Sequence, residues 1–248
     1  MYRLLFFFTL CVLLVGCAGS KSSQSLDTPR EDGAQTVAVR DSLRAKFVLT
    51  LVDTAGKAQD FDAVLFSVPG KRYRMELTGP MGIGVASLLW QEDGWQMVFP
   101  TEKKYVKGAG YMIGLIDDSS IPLVPIHQVA NLFEGILLPE SYETLSESDS
   151  AGFHVVSAKA SNGIAFTFGS KDGHVAWYSR MGRDGKPEIL RFLNFRTFEN
   201  VETPENIVFE KEGKRFLEIR IKKVTRKKAF SMGTWRLNIP KSYKSVTE

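Results

Sequence analysis

Cysteine is almost absent from this chain. Its 248 residues include only Cys11 and Cys17, and both fall in the first turns of the sequence. Everything after Cys17 therefore lacks a pair for a disulfide, and the fold has to rest on its apolar core. Histidine is equally sparse. His127, His154 and His174 are the only three, and no two stand at ligand spacing, so a zinc site has little support. His127, at the edge of an apolar helical face, reads as a structural histidine. HExxH, C-x-x-C, G-x-S-x-G and Walker patterns are all missing. Asp117-Asp118 and Glu199, Glu202 and Glu205 fall in loops, where carboxylates are ordinarily solvated. The expectation is a chain that is not an enzyme and holds no metal. The formal net charge of +4 is modest for a nucleic-acid binder, and no nucleic-acid partner is expected.

Long apolar runs are also missing, with one exception at the start. Arg3 supplies a positive charge, and Leu4 to Val15 follows without any charge. That run is too short to cross a bilayer, which takes roughly 20 apolar residues. It has the form of the apolar region of a secretory leader, with small residues after it suited to cleavage. Leu14-Val15-Gly16-Cys17 resembles the bacterial lipobox, in which the cysteine is acylated and becomes the new N-terminus. The expected boundaries are a lipoprotein signal peptide over 1–16, a tether over 17–38 and one domain over 39–248. Lys21 to Gln35 is polar and without apolar periodicity, as a flexible tether should be. Losing Arg3 lowers the net charge by one. No cofactor is expected beyond covalent acyl chains on Cys17.

From Ser42 onward the pattern is one of short strands. Phe61, Ala63 and Leu65 alternate along Asp60 to Val68, and Tyr73, Met75 and Leu77 alternate against Arg74 and Glu76. Val85 to Gln91 and Trp95 to Phe99 flank Asp93-Gly94, a hairpin dipeptide. Lys46 to Val52 and Lys103 to Lys107 complete this block. Tyr111 to Ile116 suits a short helical turn. Pro122 to Leu137 is the main helix candidate: Leu123, Ile126, Ala130, Phe133 and Leu137 recur three and four apart, widened by Val129, Leu132 and Ile136. Pro139 would stop it. After Ser150 strands resume, punctuated by Asn162-Gly163, Asp172-Gly173, Asp184-Gly185 and Gly213, with Trp235 to Ile239 as a closing strand. The fold class is mainly β with α, about ten or eleven antiparallel strands. A sheet that long must curl, split or close. A strongly curved half-barrel enclosing a central helical insertion is the economical solution.

Two features are odd. Gly79-Pro80-Met81-Gly82-Ile83-Gly84 joins two strands, yet its side chains are apolar where turn tips are normally polar. Met81 and Ile83 either fold back on the core or form an exposed apolar finger. Phosphate binding by these glycines is not expected, since no helix-opening pattern follows. The second feature is a basic run: Arg220, Lys222, Lys223, Arg226, Lys227 and Lys228. Charge on an edge strand protects against aggregation. The alternative is attraction to anionic lipid headgroups.

Three segments carry a family resemblance over roughly Ser42 to Pro139. Arg72-Tyr73-Arg74-Met75-Glu76-Leu77-Thr78-Gly79-Pro80-Met81-Gly82 resembles the R-Y-R strand and N-P-L-G turn of the outer-membrane lipoprotein receptor LolB, within the LolA/LolB-like group. Ile121-Pro122-Leu123 resembles the I-P-L segment opening that family's central helix. The lipobox is the third. The resemblance implies a half-open barrel with an apolar cavity for lipoprotein acyl chains, a LolA-like periplasmic carrier as partner, and a protruding apolar residue at the turn. Met81 would be that residue, set between Pro80 and Gly82 and next to Ile83. Phe47, Leu49, Leu65, Phe66, Leu89, Trp90, Ile126, Ala130 and Phe133 are the cavity candidates, drawn from both faces of the strands. The implied protein is a monomer held in the outer membrane by Cys17 and facing the periplasm, and Ala18 is compatible with that sorting. Methionine in place of leucine, Gly79 in place of asparagine, and Val124-Pro125-Ile126-His127 depart from the family pattern.

Overall fold

The computed structural model describes residues 41–53, 55–109, 126–182 and 184–246. Two long meanders build it. The first runs through β1 (Ser42–Val52), β2 (Ala58–Val68), β3 (Arg72–Thr78), β4 (Gly84–Gln91), β5 (Gly94–Phe99) and β6 (Lys104–Gly108). After helix α1 (Ile126–Phe133) the second runs through β7 (Tyr142–Ser150), β8 (Phe153–Ala160), β9 (Ala165–Lys171), β10 (His174–Met181), β11 (Pro187–Phe198), β12 (Val201–Lys211) and β13 (Lys214–Lys227). The two are joined edge to edge by β1 and β13, antiparallel, with Ser42 opposite Lys227 and Leu51 opposite Leu217. Last comes β14 (Lys244–Ser245), which pairs in parallel with β6.

The result is one open, curved sheet of fourteen strands among the described residues, ordered β14-β6-β5-β4-β3-β2-β1-β13-β12-β11-β10-β9-β8-β7. The sequence suggested ten or eleven. The largest omission is β7. Every residue in it is exposed, so it has no buried alternate face and no apolar rhythm to reveal it. It forms by pairing with β8.

Alternation places the core on one face of the sheet. Leu43, Ala45, Phe47 and Leu49 on β1 are buried with Phe61, Ala63 and Leu65 on β2, Tyr73 and Met75 on β3, and Ile219 and Ile221 on β13. Each of the larger aliphatic and aromatic side chains among them contributes about 1.5–3 kcal/mol by leaving water. Helix α1 packs against this inner face through Ala130, Leu132 and Phe133, and the Phe133 ring sits 4.9 Å from that of Phe47. A smaller apolar cluster of Val156, Ala158, Ala160, Phe166 and Phe168 lies towards the β7 edge.

The helix is shorter than the periodicity indicated. It stops at Phe133, and 122–125 lie outside the described residues. Gly135 takes a left-handed backbone (φ 73°), its N–H bonds to the Leu132 carbonyl, and the Ile136 N–H reaches back to the Asn131 carbonyl. That pair of bonds is a Schellman termination, which glycine favours. A Cβ at Gly135 would also stand 2.6 Å from the Glu202 carbonyl oxygen. Tyr111 to Ile116 falls outside the described residues. Trp235 to Ile239 is not a strand. The chain there forms a 3₁₀ turn over Met232–Trp235 and then runs on to β14.

Candidate functional site

The turn between β3 and β4 is a short 3₁₀ segment over Pro80–Gly82. Its hydrogen bonds are internal: the Gly79 N–H donates to the Ile83 carbonyl at 2.8 Å, and the Gly82 N–H to the Gly79 carbonyl at 3.3 Å. Met81 sits at the tip with φ 60° and ψ 20°. A left-handed backbone costs a non-glycine residue roughly 1 kcal/mol or more. The strain turns the side chain out of the sheet, and Met81 is 93% exposed, with Ile83 50% exposed beside it. Neither folds back on the core. The apolar side chain is held outward by the backbone, where a polar residue would be the ordinary choice.

The strand that feeds this turn is fixed from both sides. Tyr73, Met75 and Leu77 enter the inner core. The alternate residues, Arg72 and Arg74, face away from it and hold the C-terminal segment. Arg74 Nη1 donates to the carbonyls of Thr234 at 2.8 Å and Arg236 at 3.1 Å, and its other terminal nitrogen pairs with Glu76. The Arg72 guanidinium lies 4.6 Å over the Trp235 ring. Phe230 adds edge contacts to Phe66 at 5.4 Å and to Trp235 at 6.0 Å. The C-terminal segment is thus strapped across the outer face behind the turn.

An apolar pocket of about 240 Å³ opens elsewhere, between the segment that follows α1 and strands β10 to β13. Leu132, Ile136 and Leu138 form one wall, and Leu190, Phe209 and Phe216 the other. Arg180 and Glu188 pair across 3.3 Å at its polar end. Tyr178 also lines it, and burial lifts its phenol above the ordinary value of 10.0, opposed by Arg180 and reinforced by Glu188. The volume is below the roughly 300–1,000 Å³ of typical ligand pockets. A long acyl chain would need α1 and its following segment to move.

None of the eight cavity candidates whose side chains are described lines this pocket. Phe47, Leu49, Leu65, Trp90, Ala130 and Phe133 lie together in the packed inner core. Phe66 and Leu89 belong to the opposite face, because they alternate with Leu65 and Trp90 along their strands, and Phe66 packs on Phe230. A single wall made of all nine is therefore excluded by strand alternation. Ile126 opens α1, and its side chain, like that of His127, lies outside the described residues. Cys17 does too. The pocket's own lining was missed: Leu190, Phe209 and Phe216 lie on three different strands, β11, β12 and β13, and no spacing in the sequence joins them. Among the described residues no group of three His, Cys, Asp or Glu side chains is placed to hold a metal ion, and no helix is long and apolar enough to cross a membrane.

At the sequence level no family model and no curated protein matches. The fold is matched by solved structures. A putative outer membrane lipoprotein-sorting protein domain from Vibrio parahaemolyticus aligns with a TM-score of 0.54 at 10% identity, covering 79% of this chain and 89% of its own. A LolA superfamily protein from Nitrosomonas europaea gives 0.54 at 11%, covering 80% and 91%. A DUF1329 family protein from Desulfovibrio piger gives 0.55 at 13%, covering 80% and 91%. The chain thus has a LolA-type fold: mostly β, an open curved sheet, and little helix.

Proposed function

We propose that this chain is an envelope lipoprotein that binds the acyl chains of other lipoproteins and, like LolB, passes them into the outer membrane. The observation that carries the reading is Met81, an almost fully exposed apolar side chain held outward by a left-handed backbone at the tip of a tight turn. Burying such a side chain in lipid contributes about 1.5–3 kcal/mol. That is enough to bias a protein already tethered through Cys17, and too little to anchor one alone. The fold shared with lipoprotein-sorting and LolA superfamily structures supports an acyl-binding role. In this reading a LolA-like periplasmic carrier supplies the cargo. The protein acts as a monomer, faces the periplasm from the outer membrane, and performs no catalysis.

The test is Met81→Glu, with Met81→Gly beside it. Both keep the turn, and glycine relieves its backbone strain. Both should leave thermal stability intact and cause cargo lipoproteins to accumulate short of the outer membrane in cells depleted of the wild-type chain. Normal delivery by a folded Met81→Glu variant overturns the insertion role.

A second reading keeps lipid binding and drops insertion. It rests on the pocket between the α1 segment and β10–β13, which is apolar on both walls and polar at one end. Delivery by Met81→Glu together with loss of a bound fluorescent fatty acid in Ile164→Glu, at the pocket's half-exposed rim, would select this second reading.

A further inference from the structure

The basic run does not behave as one surface. Arg226 leaves it, turning to the inner face to pair with Glu134 at 2.9 Å. Lys223 and Lys227 instead share a surface with residues of β1. Lys46 of β1 stands directly opposite Lys223 of β13, Arg44 opposite Thr225, and Ser42 opposite Lys227. Arg44, Lys46, Lys223, Thr225 and Lys227 line a groove of about 220 Å³ on the outer face. No carboxylate among the described residues pairs with any of the four cations. Arg44 has its guanidinium 5.4 Å over the Phe66 ring, and its Nε is buried with no hydrogen-bond partner.

Like charges directly across two strands oppose sheet formation. Protection of a sheet edge is the usual reason to accept them, but it does not apply to Lys46. Its strand lies in the interior of the sheet, paired with β2 on one side and β13 on the other. The cations converge on a concave space, and a hydroxyl faces the same space. That is the donor set for a compact anion with several acceptor oxygens. Lysines serve such a group as point charges, and arginine and threonine add directed bonds.

We infer that this groove binds a phosphate group, with Lys46, Lys223 and Lys227 neutralising its charge and Arg44 and Thr225 donating to its oxygens. Two sources share that chemistry, free phosphate and the phosphodiester of an anionic lipid headgroup. The groove lies where the chain enters the sheet, since Ser42 faces Lys227. A phosphate held there would lie beside Ser42, the first residue of β1. The inference does not depend on acyl-chain transfer, and a chain that fails the Met81 test can still bind phosphate.

The test uses the full chain carrying Cys17→Ala, so that no acyl chain contributes. Binding of inorganic phosphate is followed by calorimetry at low ionic strength. Binding to phosphatidylglycerol-containing vesicles is followed by co-sedimentation, against vesicles of phosphatidylcholine alone. Both are repeated with Lys46→Gln/Lys223→Gln and, separately, with the exposed Lys227→Gln. Each lysine removed should weaken binding about fivefold. The melting temperature of the double variant should not fall, because a like-charge pair has been relieved. Binding of phosphate as well as vesicles identifies a free phosphate site, and binding of phosphatidylglycerol vesicles alone identifies a headgroup site. Either outcome upholds the inference if the lysine variants lose it. Absence of phosphate binding together with equal binding to both vesicle types overturns it. So does undiminished binding by Lys227→Gln and the double variant. If the double variant does not fold, Lys227→Gln decides alone.

Discussion

Arg226 Nη1 lies 2.9 Å from Glu134 Oε2, joining the last long strand to the residue just beyond helix α1. Both side chains are largely out of water, Glu134 at 6% exposed and Arg226 at 20%. The carboxylate sits at a helix C-terminus, where the helix dipole disfavours it. The arginine offsets that and fixes the short helix against β13.

Removing one partner should therefore cost far more than removing both. Arg226→Ala leaves a buried uncompensated carboxylate and is expected to destabilise the fold by about 3 kcal/mol. Glu134→Gln with Arg226→Met should recover most of that loss. Urea unfolding of the single and double variants measures it, and equal losses in both would show that the pair is not coupled.

Arg74 predicts a different kind of failure. Its bonds to the Thr234 and Arg236 carbonyls hold the C-terminal strap. Hydrogen bonds to a charged donor contribute about 1.5–3 kcal/mol. Arg74→Ala should lower stability by about 2 kcal/mol and speed tryptic cleavage at Lys227 and Lys228, while leaving the Met81 turn in place. An unchanged digestion pattern would mean that Trp235 and Phe230 hold the strap without it.

The pocket gives a pH signature at the alkaline end. Burial raises the Tyr178 phenol above its ordinary value of 10.0. Its neutral form is thus favoured by folding. The associated stability is complete below the unfolded value and disappears as pH rises through the higher folded value. Stability should fall on going above about pH 10, and Tyr178→Phe should fall less steeply. Parallel curves for the two proteins would rule out a contribution from this phenol.

Much of the N-terminal meander was legible because its strands are half-buried. Tyr73, Met75 and Leu77 alternate with charges, and Asp93-Gly94 supplies its own turn chemistry. β12 carries Pro204 in its interior. It is tolerated within the strand because β12 pairs with β13 only from Asn206 onward, so one edge is open at the proline. α1 was read too long because Ile136 and Leu137 continue the apolar rhythm, although Gly135 had already ended the helix. The apolar tip at Met81 was visible as an anomaly of composition. The cationic groove was not, since Lys46 and Lys223 come together only through the pairing of β1 with β13.

That same pairing bears on how the protein is made. Ser42 finds Lys227 only after nearly the entire chain has emerged, because each meander is complete in itself and the seam between them waits for the final long strand. Contacts this distant in sequence form late and slowly. Neither meander can join the other before β13 is present. The joining of the two halves of the sheet is thus a late event, held back by the order of the strands along the chain.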